Sequence, residues 1–331
     1  MKVALVHDYL TELGGAERVL EALCELFPHA PIYTLIYDEK ATNGLFKHRR
    51  IHTSFLQKLP WSRTRHRNYA WLMPVAIEQF DLGRYDLVIS DSASYAKGIV
   101  TKPHTVHISY CHTPIRYAWD DSHRYVKEFG LPPILRSFVP FFLNYLRVWD
   151  KEASLRVDAF IANSSFVRDR IRKYYRVDAD VIHPPVDVEF FGKTERAEKK
   201  YFLAAGRLVA YKRFDLAVRA FNELKLPLIV AGEGPELNRL KAIAGPTIAF
   251  KGRITDAELR EIYAGARALV FPQEEDFGIT AVEAMATGTP VIAFRGGGAL
   301  EHLAEGETGL FFDYERPGTL ARTVERFLEM R

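Results

Sequence analysis

Short apolar runs that alternate with amphipathic helical patterns constrain the fold of this chain more than any other feature of its sequence. Each run has four or five residues, many of them β-branched, as expected for strands buried on both faces of a sheet. The runs lie at residues 3–7, 87–90, 106–110, 159–162, 202–205, 228–231, 247–250, 268–271 and 291–294. Between many of them apolar residues recur at helical spacing, as in residues 15–27. This alternation predicts parallel sheets of the α/β class.

Two domains are predicted from the length and from the way the alternation changes along the chain. A length of 331 residues suits two domains of ordinary size. The alternation is regular after about residue 200, whereas the first half carries a long insert at about residues 38–85. Pro184 and Pro185 interrupt an extended segment between the halves. We therefore expect domains at residues 1–185 and 186–331, with ligands bound in a cleft between them at the carboxyl ends of the strands.

Composition and charge exclude several classes of protein. The chain carries 45 Lys+Arg and 42 Asp+Glu, a near balance that argues against a dedicated nucleic-acid binder. Cys24 and Cys111 are too few for a disulfide framework or an unaided four-ligand zinc site, and they suit a reduced compartment. The first residues enter a strand pattern directly, and no uncharged apolar stretch reaches the roughly 18 residues of a membrane span. We therefore expect a cytoplasmic protein without a signal peptide.

The segment 272–290 holds the most informative pattern in the sequence. It begins as an acidic loop after a strand, and a helix then starts near Gly278 and stops at Gly288. Free backbone N–H groups at a helix start receive a phosphate, while Glu275 in the loop and Glu283 in the helix can accept hydrogen bonds from sugar hydroxyls. The structural alternative is an acidic loop before a helix whose dipole favours an early carboxylate.

Two glycine-containing strand ends lie upstream of this segment. Gly206 ends a strand and permits close backbone approach, and Arg207 and Lys212 behind it can neutralise a diphosphate. A solvated basic loop is the alternative for these cations. The turn at residues 232–236 is a second glycine-rich passage from strand to helix, which alone is a weak signal because every α/β protein has such turns.

In this order and context, the segments resemble the retaining glycosyltransferases of family 4, which have the GT-B fold. The loop at Gly14 and Gly15 resembles the glycine-rich N-terminal loop of that family and lacks the spacing of a dinucleotide-binding fold. The resemblance implies two Rossmann-like doubly wound domains that face each other across a cleft. The motifs that carry it are Gly206-Arg207-Leu208 with Lys212, residues 232–236, Gly252-Arg253, Glu275 with Glu283 eight residues on, and residues 110–120 around His112.

The resemblance also implies a role for each motif residue. Arg207 and Lys212 hold the donor diphosphate and stabilise the charge of the leaving nucleotide, so that no metal or other cofactor is expected. Glu275 and His112 contact the transferred sugar, and Glu283 accepts the ribose hydroxyls. The other expected donor contacts are Gly14, Gly15, Gly206, Gly232, Gly252, Arg253, Phe277, Gly278, Ile279 and Thr280. The pair Asp178 and Asp180 has the spacing of a metal motif, but we interpret it as solvated.

The sequence constrains the substrates less than the site. Residues 112–117 resemble the subgroup of GDP-mannose-dependent O-antigen mannosyltransferases, so we expect mannose transfer from GDP-mannose to a glycan or lipid-linked acceptor of surface polysaccharide. A UDP-linked donor is the main alternative, and a non-catalytic partner subunit that binds a nucleotide or glycan is another. A two-domain solute-binding protein is disfavoured, since no signal peptide is visible.

A basic segment and the end of the chain complete the expectations. Residues 47–69 contain seven Lys or Arg and no acid, with Trp61 inside and Trp71 close by. This segment predicts peripheral contact with an anionic membrane at its inner face, and a solvated basic insert is the alternative. Family members usually continue beyond a helix like the one expected at residues 317–331, with final helices that cross back to the first domain and that this sequence lacks.

Overall fold

The computed structural model describes residues 1–120, 137–194, 198–314 and 316–330 of the 331-residue chain. The chain divides into two compact units, Met1–Pro185 and Val186–Arg331. The division falls directly after the pair of prolines that interrupts the extended segment. Each unit is built around its own sheet and its own apolar clusters.

The first unit is a doubly wound α/β unit. Among its described residues, seven parallel strands form one sheet in the order β3-β2-β1-β4-β5-β6-β7. The strands are β1 (Val3–His7), β2 (Ile32–Thr34), β3 (Ile51–Thr53), β4 (Leu87–Ser92), β5 (Val106–Cys111), β6 (Ala159–Ala162) and β7 (Asp180–Val181). Its α-helices are α1 (Gly15–Leu26), α2 (Ser62–Arg65), α3 (Met73–Glu78), α4 (Arg116–Trp119), α5 (Val139–Ser154) and α6 (Ser165–Tyr175), and 3-10 turns cover Phe55–Lys58, His66–Tyr69 and Ala96–Gly98.

Apolar side chains cover both faces of this sheet. Leu20 and Cys24 of α1 pack with Phe46 on one face, while Ile77 of α3 and Leu146 of α5 belong to the cluster on the other. Strands covered on both sides must be apolar throughout, which explains the nearly continuous apolar runs in the sequence. Burial of these stripes supplies the main favourable free energy of folding.

The second unit repeats the architecture with a shorter sheet. Its described residues contain a six-stranded parallel sheet in the order β10-β9-β8-β11-β12-β13. The strands are β8 (Tyr201–Ala205), β9 (Leu228–Ala231), β10 (Ile248–Lys251), β11 (Ala266–Phe271), β12 (Val291–Phe294) and β13 (Gly309–Phe312). The α-helices are α7 (Val188–Gly192), α8 (Phe214–Leu224), α9 (Leu237–Ile243), α10 (Asp256–Ala264), α11 (Ile279–Ala286), α12 (Ala299–His302) and α13 (Pro317–Glu329), and a 3-10 turn covers Ala210–Lys212.

Local sequence signals set the helix boundaries in this unit. Thr255 accepts a hydrogen bond from the backbone N–H of Glu258, and the Glu258 carboxylate accepts one from the backbone N–H of Thr255. This reciprocal pair is the predicted capping box, and it starts α10 where the sequence indicated. Helix α13 buries Leu320 and Val324 in the cluster that covers one face of the sheet.

The predicted α/β class and the Rossmann-like doubly wound architecture are confirmed, with all strand pairs parallel in both sheets. The strands β2, β3, β7 and β13 were not among the predicted runs. Residues 38–85, expected as an insert, are integrated into the first unit, because β3 pairs with β2 and α3 packs in the main cluster. Within the described residues, no helix is long and apolar enough to cross a membrane.

Candidate functional site

A buried ion pair stands at the carboxyl edge of the second sheet. Strands β8 and β11 are neighbours there, at the point where the strand order reverses and α/β proteins usually bind ligands. Lys212 follows β8 and Glu275 follows β11, and the Lys212 Nζ lies 3.0 Å from the Glu275 Oε1. Their side chains are only 16% and 17% exposed. The structure thus brings together two of the residues that the sequence singled out for donor binding.

The charge of Lys212 is maintained by its surroundings. Burial lowers the pKa of its ammonium group, but the charge of Glu275 and the hydrogen bond to it outweigh burial and raise that pKa above its usual value. Arg207 acts in the opposite direction because it is a like charge. Lys212 is therefore a cation at neutral pH, held in a partly dry position where its attraction for a phosphate is stronger than in water.

The two glycine loops of this edge are packed backbone to backbone. A Cβ on Gly232 would lie 1.9 Å from the Gly206 carbonyl oxygen, and one on Gly234 would lie 2.3 Å from the Leu208 carbonyl oxygen. The backbone N–H of Leu208 donates to the carbonyl of Glu233 at 2.8 Å, which ties the loops together. The turn at Gly232 therefore supports the loop that presents Arg207 and Lys212.

A second set of glycines supports the loop of Glu275. The backbone N–H of Gly298 donates to the Glu275 carbonyl at 2.9 Å. A Cβ on Gly297 would lie 2.2 Å from that same oxygen, so a larger residue would displace the loop. The sequence interpretation missed these glycines. The Gly296-Gly297-Gly298 run after β12 was the available signal.

The start of helix α11 has the geometry expected from the sequence. Gly278 has a φ of +96°, a left-handed conformation that glycine adopts readily, and it lets Ile279 and Thr280 begin the helix. Phe277 is buried, and its carbonyl accepts a hydrogen bond from the His302 Nε2 at 2.9 Å. Helix α11 thus begins at the carboxyl edge of the sheet, four residues after Glu275, with the N–H groups of its first turn outside the helical hydrogen-bond pattern.

The remaining predicted residues of this unit are Glu283, Gly252 and Arg253. Glu283 is buried, and its Oε2 accepts a hydrogen bond from the Tyr263 hydroxyl at 3.2 Å. Gly252 and Arg253 follow β10 and are exposed, and the carbonyl of Gly252 accepts a hydrogen bond from the Gly232 N–H at 3.2 Å. The structure therefore ties Gly252 to the Gly232 turn.

The carboxyl edge of the first sheet holds a chain of three ionisable side chains. His7 ends β1, Asp91 lies near the end of β4, and His112 follows β5. The Asp91 Oδ2 lies 2.8 Å from the His7 Nδ1, and its Oδ1 lies 2.5 Å from the His112 Nε2. Asp91 is fully buried, whereas the His112 side chain is 12% exposed. The sequence singled out His112 and missed its two partners.

The inner histidine of this chain is charged. Burial opposes protonation of His7, but its hydrogen bonds and charge interactions with Asp91 and Glu17 outweigh that effect and raise its pKa from 6.5 to about 10. Glu17 lies in the first turn of α1, 3.4 Å from the His7 Nε2. Gly14 is the cap residue before that helix and Gly15 is its first residue. A Cβ on Gly14 would lie 3.2 Å from the Glu17 Oε2, so the loop lies close against this carboxylate.

Asp178 and Asp180, which we interpreted from the sequence as a solvated pair, are both exposed. Asp178 is exposed and forms an ion pair with Arg172 at 2.6 Å, and Asp180 begins β7. Among the described residues, no group of three or more His, Cys, Asp or Glu side chains is arranged to hold a metal ion.

Comparison with known protein families identifies both units. A model described as "Glycosyltransferase Family 4" matches residues 13–190, more than half of the chain. A model described as "Glycosyl transferases group 1" matches residues 186–331. The chain belongs to glycosyltransferase family 4. The predicted family is therefore confirmed.

Curated relatives and a solved structure agree with this assignment. A D-inositol 3-phosphate glycosyltransferase of a Nocardioides species is 27% identical over 211 residues, which are 52% of this chain and 46% of the relative. A mannosylfructose-phosphate synthase of Agrobacterium fabrum is 36% identical over 135 residues, 35% of this chain and 30% of the relative. The match thus spans less than half the length of either relative. The crystal structure of Anabaena Alr3699/HepE with UDP and glucose has a TM-score of 0.73 at 17% identity, covers 99% of this chain and 90% of its own, and shows the shared GT-B fold.

We predict that His7 makes the protein less stable as the pH becomes alkaline. Its pKa is raised from 6.5 to about 10 by folding, so its contribution is complete below pH 6.5 and is lost as the pH rises towards 10. In the wild-type protein, loss of this proton lowers the free energy of unfolding by up to about 1.4 kcal/mol for each pH unit in that window. The change His7→Gln removes this slope. Urea unfolding followed between pH 6.5 and 9.5 measures it.

The exposed His29 provides the matched control for this measurement. His29→Gln keeps the wild-type slope, because its imidazole has no buried carboxylate partner among the described side chains. Equal slopes for wild type and His7→Gln contradict the assignment of a charged His7.

Proposed function

We propose that the chain is a retaining hexosyltransferase that transfers mannose from GDP-mannose to a glycan or lipid-linked acceptor in the synthesis of surface polysaccharide. The observation that carries the proposal is the Lys212–Glu275 pair, 3.0 Å apart, at the switch point of the second sheet. A cation, a carboxylate and the free N–H groups of a helix start together suit a sugar joined to a diphosphate. Family membership supports this interpretation of the site.

In the proposed mechanism, Lys212 and Arg207 bind the two phosphates of the donor. They stabilise the negative charge that develops on the nucleotide as the bond between C1 of the sugar and the phosphate oxygen breaks. The acceptor oxygen forms its bond to C1 on the same face, and its proton passes to the departing phosphate oxygen. Glu275 and His112 hold hydroxyls of the sugar, and Glu283 holds the ribose. The two cations perform the role that a metal ion has in other transferases.

The choice of donor rests on one sequence segment and on a relative. Residues 112–117 resemble the GDP-mannose-using subgroup, and one curated relative is named a mannosylfructose-phosphate synthase. A UDP-linked donor is the competing proposal, since a structure with the same fold contains UDP and glucose. The identity of the base therefore decides between the two.

Calorimetric titration with GDP, UDP and ADP, followed by their sugar conjugates, tests the donor. We expect GDP and GDP-mannose to bind most tightly, without added metal. Preference for UDP overturns the mannose proposal and keeps the enzyme class. Binding without release of nucleotide from any donor, in the presence of lipid-linked acceptors, favours a non-catalytic partner subunit instead.

The substitution Lys212→Met tests the phosphate site itself. Loss of a charged hydrogen bond to the diphosphate weakens binding of the preferred nucleotide about 10- to 100-fold. The control Lys241→Met changes an exposed lysine of helix α9 and leaves the affinity unaltered. Unchanged affinity in Lys212→Met contradicts the proposed phosphate site, provided that circular dichroism shows both variants folded.

A membrane-facing surface is the second part of the proposal. Lys47, Arg50, Lys58, Arg63, Arg65 and Arg67 are exposed within residues 47–69. Trp61 is 73% exposed and Trp71 is 58% exposed beside them. The seventh cation, Arg49, instead donates hydrogen bonds to the carbonyls of Cys24 and Pro28 at 2.6 Å and fastens the segment to the end of α1. Exposed cations with exposed tryptophans suit anionic headgroups and the interfacial zone of a bilayer.

Cosedimentation of the full chain with lipid vesicles tests this surface. We expect binding to phosphatidylcholine vesicles that contain phosphatidylglycerol, weakened by salt, and none to phosphatidylcholine alone. Replacing Arg63, Arg65 and Arg67 by Glu abolishes it, because each cation near an anionic surface contributes about 1 kcal/mol. The control replaces the exposed cations Arg219, Lys241 and Arg322 of the second unit by Glu. Equal losses in both triple variants contradict a specific surface.

A further inference from the structure

The carboxylate of Asp91 is the central member of the chain of ionisable groups in the first unit. Its strand pairs with β1 so that Asp91 stands directly opposite His7, and its other neighbour in the sheet is β5, which leads to His112. One carboxylate oxygen meets each histidine, at 2.8 Å and 2.5 Å. Each oxygen of this fully buried carboxylate thus contacts a ring nitrogen of one histidine, and the two histidines lie at the ends of the two adjacent strands.

Asp91 remains ionised in this environment. Burial alone raises the pKa of a carboxyl group, but His112 and His7 outweigh it and hold the pKa of Asp91 below its usual value. An ionised carboxylate only accepts hydrogen bonds, so the nitrogen that faces it must carry a proton. For His112 that nitrogen is Nε2, and a neutral ring therefore has its lone pair on Nδ1.

The ring and backbone of His112 are held by further contacts. Its backbone N–H donates to the Ser92 carbonyl at 2.8 Å, and its carbonyl accepts a hydrogen bond from the Asn163 Nδ2 at 3.1 Å. The ring of Tyr110 meets the imidazole edge-on, with centroids 5.2 Å apart. These contacts restrict rotation of the His112 ring, so that its Nδ1 keeps one orientation.

We propose that Asp91 is a positioning residue that holds the Nε2 proton of His112, so that Nδ1 accepts a hydrogen bond from a hydroxyl of the transferred sugar. The buried His7 supplies the counter-charge that keeps Asp91 ionised, and Glu17 supports His7 from helix α1. This inference rests on the proposed function for the sugar, whereas the state of the His112 ring is a property of the protein alone. An error in the proposed function and an error in the state of the His112 ring therefore give different experimental results.

Nuclear magnetic resonance of the full chain with ¹⁵N-labelled histidine tests the ring directly. Long-range ¹H–¹⁵N correlations distinguish the two neutral forms, and the signals of His112 are assigned by their loss in His112→Gln. We expect the neutral ring to carry its proton on Nε2 up to pH 9. A neutral ring protonated on Nδ1, or a ring still doubly protonated at pH 9, overturns the proposal.

His7, Cys24 and Tyr110 keep their charge state over the range of this measurement, up to pH 9. His7 keeps its proton, since its pKa is raised to about 10. Burial raises the pKa of the Cys24 thiol to about 11 and raises that of Tyr110 above its usual value, so both stay neutral. Glu17 and Asp91 are the carboxylates that face the histidines. A change in the His112 signals below pH 9 therefore reports on His112 itself.

A mutant cycle tests whether Asp91 acts through His112. We expect Asp91→Asn to lower kcat about 10- to 100-fold with little change in the KM for the donor, the effect of losing one charged hydrogen bond. In the His112→Gln background, the same change lowers kcat less than about twofold. Losses that multiply in the double variant show that Asp91 acts separately and overturn the proposal.

One control variant and the ring spectrum keep these results interpretable. Asp86→Asn makes the same chemical change just before β4, at an exposed carboxylate, and leaves kcat unaltered. If Asp91→Asn does not fold, the wild-type ring spectrum alone decides the proposal. If no donor is turned over, the proposed function fails while that spectrum still reports on Asp91 and His112.

Discussion

Parallel strands place their carboxyl ends at one edge of a sheet, and the chemistry of both units depends on this constraint. In the first unit it brings His7 and Asp91 into register although 84 positions separate them in the chain. In the second unit it brings the loop after β8 beside the loop after β11, which is how Lys212 meets Glu275. Neither contact results from local sequence, because both follow from the order of the strands.

Each edge pairs a cation with a carboxylate, fully buried at His7 and Asp91 and largely buried at Lys212 and Glu275. A lone charge in such a position is costly, and a partner within hydrogen-bond distance offsets the loss of water. The pairing lets Lys212 and His7 remain charged where water is scarce. In the proposed function, a diphosphate therefore meets a positive group that is already oriented, and little reorganisation is needed when charge develops on the nucleotide.

The sequence predicted the fold class, and its motifs indicated the family, because both depend on patterns along the chain. Apolar runs such as that of β9 and signals such as the capping box at Thr255 act over a few residues and are visible without a structure. The strands β2 and β3 have only three residues each, too short for a periodic pattern. β2 becomes a strand because β1 offers an edge to pair with, and β3 then pairs with β2.

The site was predictable where a residue belongs to a motif and hidden where it acts through packing. Lys212 and Glu275 could be singled out by type and spacing, but their contact could not, since it depends on the pairing of β8 with β11. Asp91 and His7 carry no motif of their own. A charged residue directly after the apolar run of β4 was the available sign, since such residues are rarely buried without a partner.

The glycines behind the Glu275 loop determine how this site can diverge. At Gly297 and Gly298 the loop lies against bare backbone, with the Gly298 N–H bonded to the Glu275 carbonyl. Its path is thus set in large part by main-chain contacts with these two glycines. A side chain at Gly297 or Gly298 would collide with the backbone of residues 275–277, so glycine is required at both positions. In the proposed donor site, a change of sugar preference then has to come from the side chains of the loop, since these glycines constrain its backbone path.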